Sequence, residues 1–483
     1  MVDCVIIGAG IVGCCTAQML AQYQARIVVL EAKSDVAEGT SKANSAIVHA
    51  GYDAKPHTKK ALYNVRGNAM YEDLCARMDV HFQRNGSLVL CFDEADWYKL
   101  EELKQRGETN GVQGLQLLKR SELVAMEPYV SEKAVGALFA PTGAITCPYG
   151  LTEALAENAC ANGAQFYFDC PVQAIERTEH GFCVYAGGQR FETRSVVNAA
   201  GVHVDEIARM VGAETVDIQP RKGEYCIFDK TAGELVRHTL FQLPSAMGKG
   251  VLVTPTVDGN LMVGPNANDQ DSKEDVATTG EGLAYILQTG GQSVQALPRQ
   301  AIITSFAGLR AHSKKYDDFF IGEDAKIKGF FHAAGIESPG LTAAPAIAED
   351  LSKAVADFLN CPLKEHPIRT RKGIARFNEM TEEEQDAAIA KNPLYAQIVC
   401  RCETVTEAEV VDAIHRTPGA TTIDGVKRRT RCGMGRCQGG FCMPKVAAIL
   451  ERELQIAPEL VTKKGGRSTL MVGPMKEDAP CVQ

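Results

Sequence analysis

The stretch CVIIGAGIVG, residues 4–13, decides how the chain opens. Its apolar start makes residues 3–8 a buried strand, residues 11–23 (IVGCCTAQMLAQY) a helix and residues 26–31 (RIVVLE) a second strand, a β-α-β unit. Gly8, Gly10 and Gly13 form G-x-G-x-x-G at the junction of strand and helix. Gly8 allows the tight turn, Gly10 lets the backbone approach a pyrophosphate, and Gly13 lets helix and strand pack closely. The helix N-terminus favours anionic phosphates. Glu31 ends the second strand about 20 residues on, where an acid bonds a ribose hydroxyl. The motif predicts a dinucleotide, and the glycines alone do not choose between FAD and NAD.

Two later segments repeat the strand, glycine turn and helix: SVVNAAGVHVDEIARMVG (195–212) and GFFHAAGIESPGLTAAPAIAEDLSKAV (329–355). One nucleotide-binding domain is therefore expected from separated pieces, about 1–80, 145–215 and 300–360. Between them GSLVLCF, YCIFD and GVLVTPTVDGNLMVGPN read as strands, the last with an Asp258-Gly259 hairpin signal. These pieces, about 81–144 and 216–299, predict an inserted antiparallel β-sheet that covers the substrate. Residues 361–397 carry scattered proline and charge without a strong period and read as a linker. Residues 398–450 form a small cysteine-bearing module, and 451–483 a loosely ordered tail. The predicted fold class is α/β: a Rossmann-like domain, the inserted sheet and a small helical C-terminal module.

Length suggests two to four units for the 483 residues, and 45% apolar with 23% charged residues is a globular profile. A net charge of −9 argues against nucleic-acid binding. The N-terminus MVDCVII lacks the basic region of a signal peptide, and no apolar run approaches the ~18 residues of a membrane span. A cytoplasmic, reduced chain is expected, membrane-associated only through a partner. In that setting the 17 cysteines point to metal or redox chemistry rather than to bridges.

GTSKANSAIVHAGY (39–52) is rich in small and hydroxyl residues suited to a phosphate and a flat ring. This stretch, the glycine motif with Glu31, VVNAAG (196–201), GLR (308–310) and the turn at 335–341 resemble the FAD-dependent oxidoreductases of the D-amino-acid-oxidase-like superfamily. The resemblance covers about residues 1–360. It implies FAD held by Gly8, Gly10, Ile11, Val12 and Gly13, with Glu31 and Ala32. Further contacts would come from Thr40, Ser41, Asn44 and Ser45, from Val172, from Ala200 and Gly201, from Gly308, and from Gly335, Ile336, Gly340 and Leu341. TSKANSAIVHAGYDAKPHT and the C-terminal cysteines are similar to anaerobic glycerol-3-phosphate dehydrogenase A-type subunits. PRKGEYCIF, GLRAHS and GIESPGLTAAPAIAEDL are similar to L-2-hydroxyglutarate dehydrogenases.

Both branches oxidise a secondary alcohol beside an anionic group, which needs a base, a hydride acceptor and cations. His49, which the resemblance puts beside the flavin, is the candidate base, since imidazole titrates near neutrality. Arg310 matches the superfamily's substrate arginine, and a guanidinium clamps carboxylate or phosphate with two parallel bonds. Arg221, Lys222 and Tyr225 in PRKGEYCIF, with His312 and Ser338, are further candidates for substrate binding; each has a bland alternative as a solvated or structural side chain. The expected reaction is sn-glycerol 3-phosphate to dihydroxyacetone phosphate. A 2-hydroxy acid, an amino or imino acid, and an electron-transfer subunit with an idle pocket are the alternatives.

Residues 399–450 resemble a [2Fe-2S] module of the bacterioferritin-associated-ferredoxin type, with C-x-C at Cys400 and Cys402. Four thiolates suit zinc as well as [2Fe-2S], but C-x-C is tighter than the usual zinc knuckle. Thr406 to Glu409 read as a capping box with Val410, Val411 and Ile414 turned inward, and Thr421 to Asp424 as a second box. Cys432, Cys437 and Cys442 offer two overlapping C-x4-C frames. Pro444 near a helix start puts Cys442 at an N-terminus that favours thiolate, and Gly439 and Gly440 let N–H groups turn toward sulfur. The predicted ligands are Cys400, Cys402, Cys437 and Cys442, with Cys432 a packed thiol. The basic run 427–431 and Arg436 offset a negative cluster, dock an acidic partner, or form a solvated face. A partner redox flavoprotein or electron-transfer subunit is expected.

Overall fold

The computed structural model describes residues 1–244 and 250–473. The chain divides into two compact units, one of residues 1–32 and 36–373, the other of 33–35 and 374 onward.

The first unit is built outward from the strand Val2–Ile7. Ile27–Leu30 and Gln189–Asn198 flank it in parallel. Gln165–Tyr167 and Phe330–Ala334 extend the parallel set on either side. Helices cover both faces, so these strands read as unbroken apolar runs, with Val5, Ile6, Val196 and Val197 all fully buried. Antiparallel strands at the edges complete an eight-stranded sheet among the described residues. The helices Ile11–Leu20, Pro148–Ala161 and Gly340–Leu359 bury Cys15, Leu20, Leu151, Leu155, Ile347 and Leu351 in one core. Each such leucine or isoleucine contributes about 1.5–3 kcal/mol by its burial. Gly340–Leu359 also packs on the helix Lys59–Met78, and a Cβ added at Gly67 would lie 1.9 Å from the Thr342 carbonyl oxygen. Only glycine permits that approach.

A second, nine-stranded sheet is organised by the strand Ile218–Phe228. It pairs antiparallel with Ile302–Ser313, from Ile218 opposite Ser313 to Phe228 opposite Ile302. Residues 302–313 thus join the second sheet rather than the nucleotide-binding pieces expected from the sequence. Their partner lies some eighty residues upstream, beyond any local pattern. The sheet is also mixed rather than purely antiparallel, because Thr239–Gln242 runs parallel to Ser87–Cys91. The hairpin of Leu252–Pro255 and Leu261–Gly264 turns at Gly259, whose φ is +82°.

In the second unit, Val410, Ile414, Val426, Val446 and Leu450 form a small core between the helices Glu407–His415, Ile423–Thr430 and Met443–Leu454. Thr406 and Glu409 make a reciprocal capping box, and Val411 is only half-buried. The second helix is capped by Thr422, one residue later than the predicted box, through a 3.0 Å bond from the Gly425 N–H. Gly425 has no side chain to return the bond, so no box forms there. Within the expected linker, a box of Thr381 and Glu384 opens the helix Glu382–Lys391. That helix opens on EEEQD, gathers its apolar residues in the single run AAIA and buries none of its residues, so it shows no helical period. Of the expected tail, Val461 is buried and Thr462 bridges Thr469, while residues 474–483 lie outside the described residues.

Asp35, counted with this unit, is 2% exposed. It accepts from Arg428 Nη2 at 2.8 Å and from Arg429 Nη1 and Nη2 at 2.6 and 2.9 Å. Burial alone would raise its carboxyl, but the two guanidiniums hold it below the usual carboxylate range. Part of the basic run is therefore internal. No described helix is long and apolar enough to cross a membrane.

Candidate active site and thiol centre

The glycine turn has the shape of a cradle. Gly8 has φ +100°, and a Cβ there would meet the Ala199 carbonyl oxygen at 2.6 Å. A Cβ at Gly13 would meet the Gly8 oxygen at 2.0 Å, so helix and strand touch through backbone. Gly10 caps the helix Ile11–Leu20 without a side-chain bond, and no acid occupies the first turn. Glu31 comes back to the same turn, its Oε2 accepting the Ala9 N–H at 2.8 Å. Ser41 Oγ accepts the Ile11 N–H at 2.8 Å. A glycine-lined turn, an acid at the next strand end and a helix whose own first turn carries no acid fit a dinucleotide pyrophosphate and ribose.

The loop 40–46 is fastened to itself and to the second sheet. Asn44 Nδ2 donates to the Thr40 and Ser41 carbonyls at 3.0 and 2.9 Å, and Ser45 is half-buried beside it. The Thr40 hydroxyl donates to the Leu309 carbonyl, and a Cβ at Gly308 would sit 1.9 Å from the Ala43 oxygen. Gly201, following Ala200, has φ +59°, and Gly335 has φ +65° before Ile336 and the helix that begins Gly340-Leu341. Val172 opens the strand Val172–Thr178. Val12 is half-buried and Ala32 exposed.

A cavity of about 180 Å³ brings His49 and Ser338 together with Gly51, Tyr52, Lys55, Lys60 and Asn64. The backbone of His49 is pinned on both sides. Its N–H donates to Thr342 Oγ1 at 2.8 Å, and its carbonyl accepts from Asn64 and Asn68 at 2.8 and 3.0 Å. Its ring lies 5.9 Å from that of Phe241. Lys60 meets Glu337 at 2.9 Å, and Glu337 also accepts from His312 Nδ1 at 3.1 Å. Burial would raise the Glu337 carboxyl, but Lys60 and His312 outweigh it and hold it low. His312 thus stands one carboxylate away from the cavity. Lys55 and Lys60 escaped the sequence reading; they flank Thr58, the N-cap of Lys59–Met78, and look there like ordinary solvated lysines.

Arg310 faces Arg221 across the paired strands. Its Nη2 donates to the Asn266 carbonyl at 3.2 Å, and a Cβ at Gly223 would come within 2.8 Å of that nitrogen. Tyr225 stacks on Phe306 at 4.7 Å; burial pushes its hydroxyl up, while Arg310, hydrogen-bonded to it, pulls the other way. Arg221 is engaged by Asp269 at 2.6 Å and Lys222 by Asp275 at 3.0 Å. These four belong to the strands of the second sheet and not to the lining of the His49 cavity.

In the second unit the thiols converge in two groups. Cys400, Cys432 and Cys442 are buried, with their sulfurs within 4.8 Å of one another. Cys402 Sγ lies 3.7 Å from Cys437 Sγ, nearer the surface. The four expected ligands are together, and the structure adds Cys432. Cys442 caps the helix Met443–Leu454. Hydrogen bonds from Cys432 and Cys442 hold Cys400 far below the ordinary thiol value, aided by the N–H groups of Gly433 and Glu403. The N–H groups of Phe441, Gly439 and Gly440 point at Cys437 and, with Cys402, lower it against burial. A thiol-only donor set with N–H groups aimed at sulfur fits an iron–sulfur cluster.

Residues 3–354 match the family model described as FAD dependent oxidoreductase, and residues 398–452 that of the BFD-like [2Fe-2S] binding domain. The chain is 45% identical to a glycerol 3-phosphate dehydrogenase of Caloramator mitchellensis over 99% of its own length and 100% of that protein. It is 27% identical to a mitochondrial L-2-hydroxyglutarate dehydrogenase of Caenorhabditis elegans, over 66% of this chain and 73% of that one. Among solved structures, the FAD-bound, dithionite-reduced L-α-glycerophosphate oxidase of Mycoplasma pneumoniae superposes with a TM-score of 0.72 at 31% identity, covering 77% of this chain and 98% of that one. FAD and a [2Fe-2S] cluster are thus the cofactors, in keeping with the glycine cradle and the thiol groups.

Proposed function

We propose that this chain, which belongs to the FAD dependent oxidoreductase family and is an FAD-dependent dehydrogenase, oxidises sn-glycerol 3-phosphate to dihydroxyacetone phosphate. The observation that carries the substrate is the 45% identity to a glycerol 3-phosphate dehydrogenase over the whole chain, cysteine module included. Bound FAD supplies a hydride acceptor, and the [2Fe-2S] cluster supplies one-electron transfer onward.

The rest falls to side chains. His49 takes the proton of the substrate hydroxyl on an imidazole nitrogen, its backbone held by Thr342, Asn64 and Asn68. Lys55 and Lys60 are the cations of the cavity wall, which they share with Asp53 and Asp317; Lys55 meets Asp317 at 2.6 Å and Lys60 meets Glu337 at 2.9 Å, so a phosphate would draw them from these acids. Arg310, braced by Tyr225 and the Asn266 carbonyl on the second sheet and outside the lining of the His49 cavity, is the other cation we assign to the substrate's anionic group. Electrons leave through the cluster to a separate redox partner; an oxidase that handed them straight to oxygen would have no need of the module.

An anaerobic substrate screen that follows the flavin absorbance tests this reading. Bleaching by glycerol 3-phosphate and not by L-2-hydroxyglutarate is expected; the reverse order would overturn the substrate assignment. No bleaching by any small anionic alcohol would favour an idle pocket. Arg310→Lys is expected to raise KM for the phosphate substrate about 10- to 100-fold, the worth of one hydrogen bond to a charged group. Steady-state kinetics check this, and an unchanged KM would remove Arg310 from substrate binding.

A further inference from the structure

A [2Fe-2S] cluster held by cysteine takes four thiolates, and five cysteine sulfurs converge in the second unit. They are not equivalent. Cys402 and Cys437, 3.7 Å apart, have the spacing of two sulfurs on one tetrahedral metal. A metal–sulfur bond of about 2.3 Å puts such a pair roughly 3.8 Å apart. That leaves three buried sulfurs, Cys400, Cys432 and Cys442, for the two remaining positions. Cys432 sits between Arg431 at φ +65° and Gly433 at φ +90°. Arg431 is the left-handed C-cap of the helix Ile423–Thr430, a common helix ending. It turns the chain off the end of that helix with the Cys432 thiol among the other two.

We propose that Cys432 is a reserve ligand: Cys400 and Cys442 hold the buried iron, and Cys432 takes over the position of either when that thiol is lost. In the exchange the iron–sulfur bond to Cys400 or Cys442 breaks and that thiolate takes up a proton, while the Cys432 S–H gives up its proton as its sulfur bonds the iron; where the thiol has been substituted, only the second half occurs, and no electrons change hands. Cys432 does not stand in for Cys402 or Cys437, which belong to the other group. The inference rests on the [2Fe-2S] reading of the module, and iron and sulfide in the unsubstituted chain test that reading separately.

The experiment uses the full chain, purified without oxygen, and reads iron and sulfide per chain, the visible circular dichroism of the cluster, and the protease resistance of the second unit as the check on its folding. Cys432→Ala is expected to keep its iron. Cys442→Ala is expected to keep at least about half of it with an altered dichroism spectrum. The double variant Cys432→Ala with Cys442→Ala is expected to fall below about one tenth. Cys402→Ala is expected to lose the cluster although Cys432 is intact. The proposal is overturned if Cys442→Ala, with its second unit still protease-resistant and given iron and sulfide again, is as empty as the double variant. It is overturned equally if Cys432→Ala loses the cluster, which makes Cys432 a resting ligand, or if Cys402→Ala keeps it. Should Cys442→Ala fail to fold, the same comparison with Cys400→Ala decides.

Discussion

A His49→Ala chain is expected to be bleached by glycerol 3-phosphate about 10²- to 10⁴-fold more slowly than the parent, with FAD still bound, the range typical of losing a positioned general base. The expectation rests on how His49 is held. Its main-chain N–H and carbonyl are engaged by Thr342, Asn64 and Asn68, so the ring is carried on a fixed backbone at the cavity wall. The dinucleotide cradle lies elsewhere, in the turn of Gly8, Gly13 and Glu31, so FAD retention and loss of substrate reduction are separable. Single-turnover absorbance in the absence of oxygen measures both. Unchanged bleaching would take His49 out of the chemistry.

Asp35→Ala is expected to destabilise the second unit by about 3–5 kcal/mol, the usual result of removing one partner from a buried ion pair. Arg428 and Arg429 would each lose the Asp35 carboxylate while their guanidiniums stay buried, at side-chain exposures of 5% and 1%. Denaturant unfolding followed by the dichroism of the cluster reads the loss; a change below about 1 kcal/mol would mean that water replaces the carboxylate. The pH dependence has a definite sign. The folded carboxyl is depressed, so its contribution is complete above the unfolded value near 3.8 and is lost as pH falls from there toward the lower folded value. The parent should therefore lose stability in that acid window, and Asp35→Ala should lose less there.

What could be read from the chain alone followed the range of the interactions. Gly8, Gly10 and Gly13 are legible because turn, close approach and helix packing are decided within a few residues. The Thr406 box is legible for the same reason, and so is Cys442 beside Pro444. The second box was displaced by one residue because two adjacent threonines precede an aspartate, and only the Thr422 bond to Gly425 selects between them. Residues 302–313 were assigned to the wrong sheet because their partner strand is far away in sequence. Lys60 owes its interest to Glu337, 277 residues away, and Cys432 owes its own to Cys400. Neither relation leaves a mark on local spacing.

The contact at Gly67 bears on what the enzyme can be made to accept. A helix that carries Lys60 and Asn64, both lining the cavity, is pressed backbone to backbone against one that begins just after Ser338 and Pro339, which line it too. The spacing of those two helices is thus gauged by main chain and not by side-chain bulk. Trimming a lining residue deepens the cavity locally but does not spread its walls. A variant for a longer or branched alcohol would have to re-space the two helices, whereas swapping the charge of a lining lysine leaves the aperture as it is and changes only which head group is welcome.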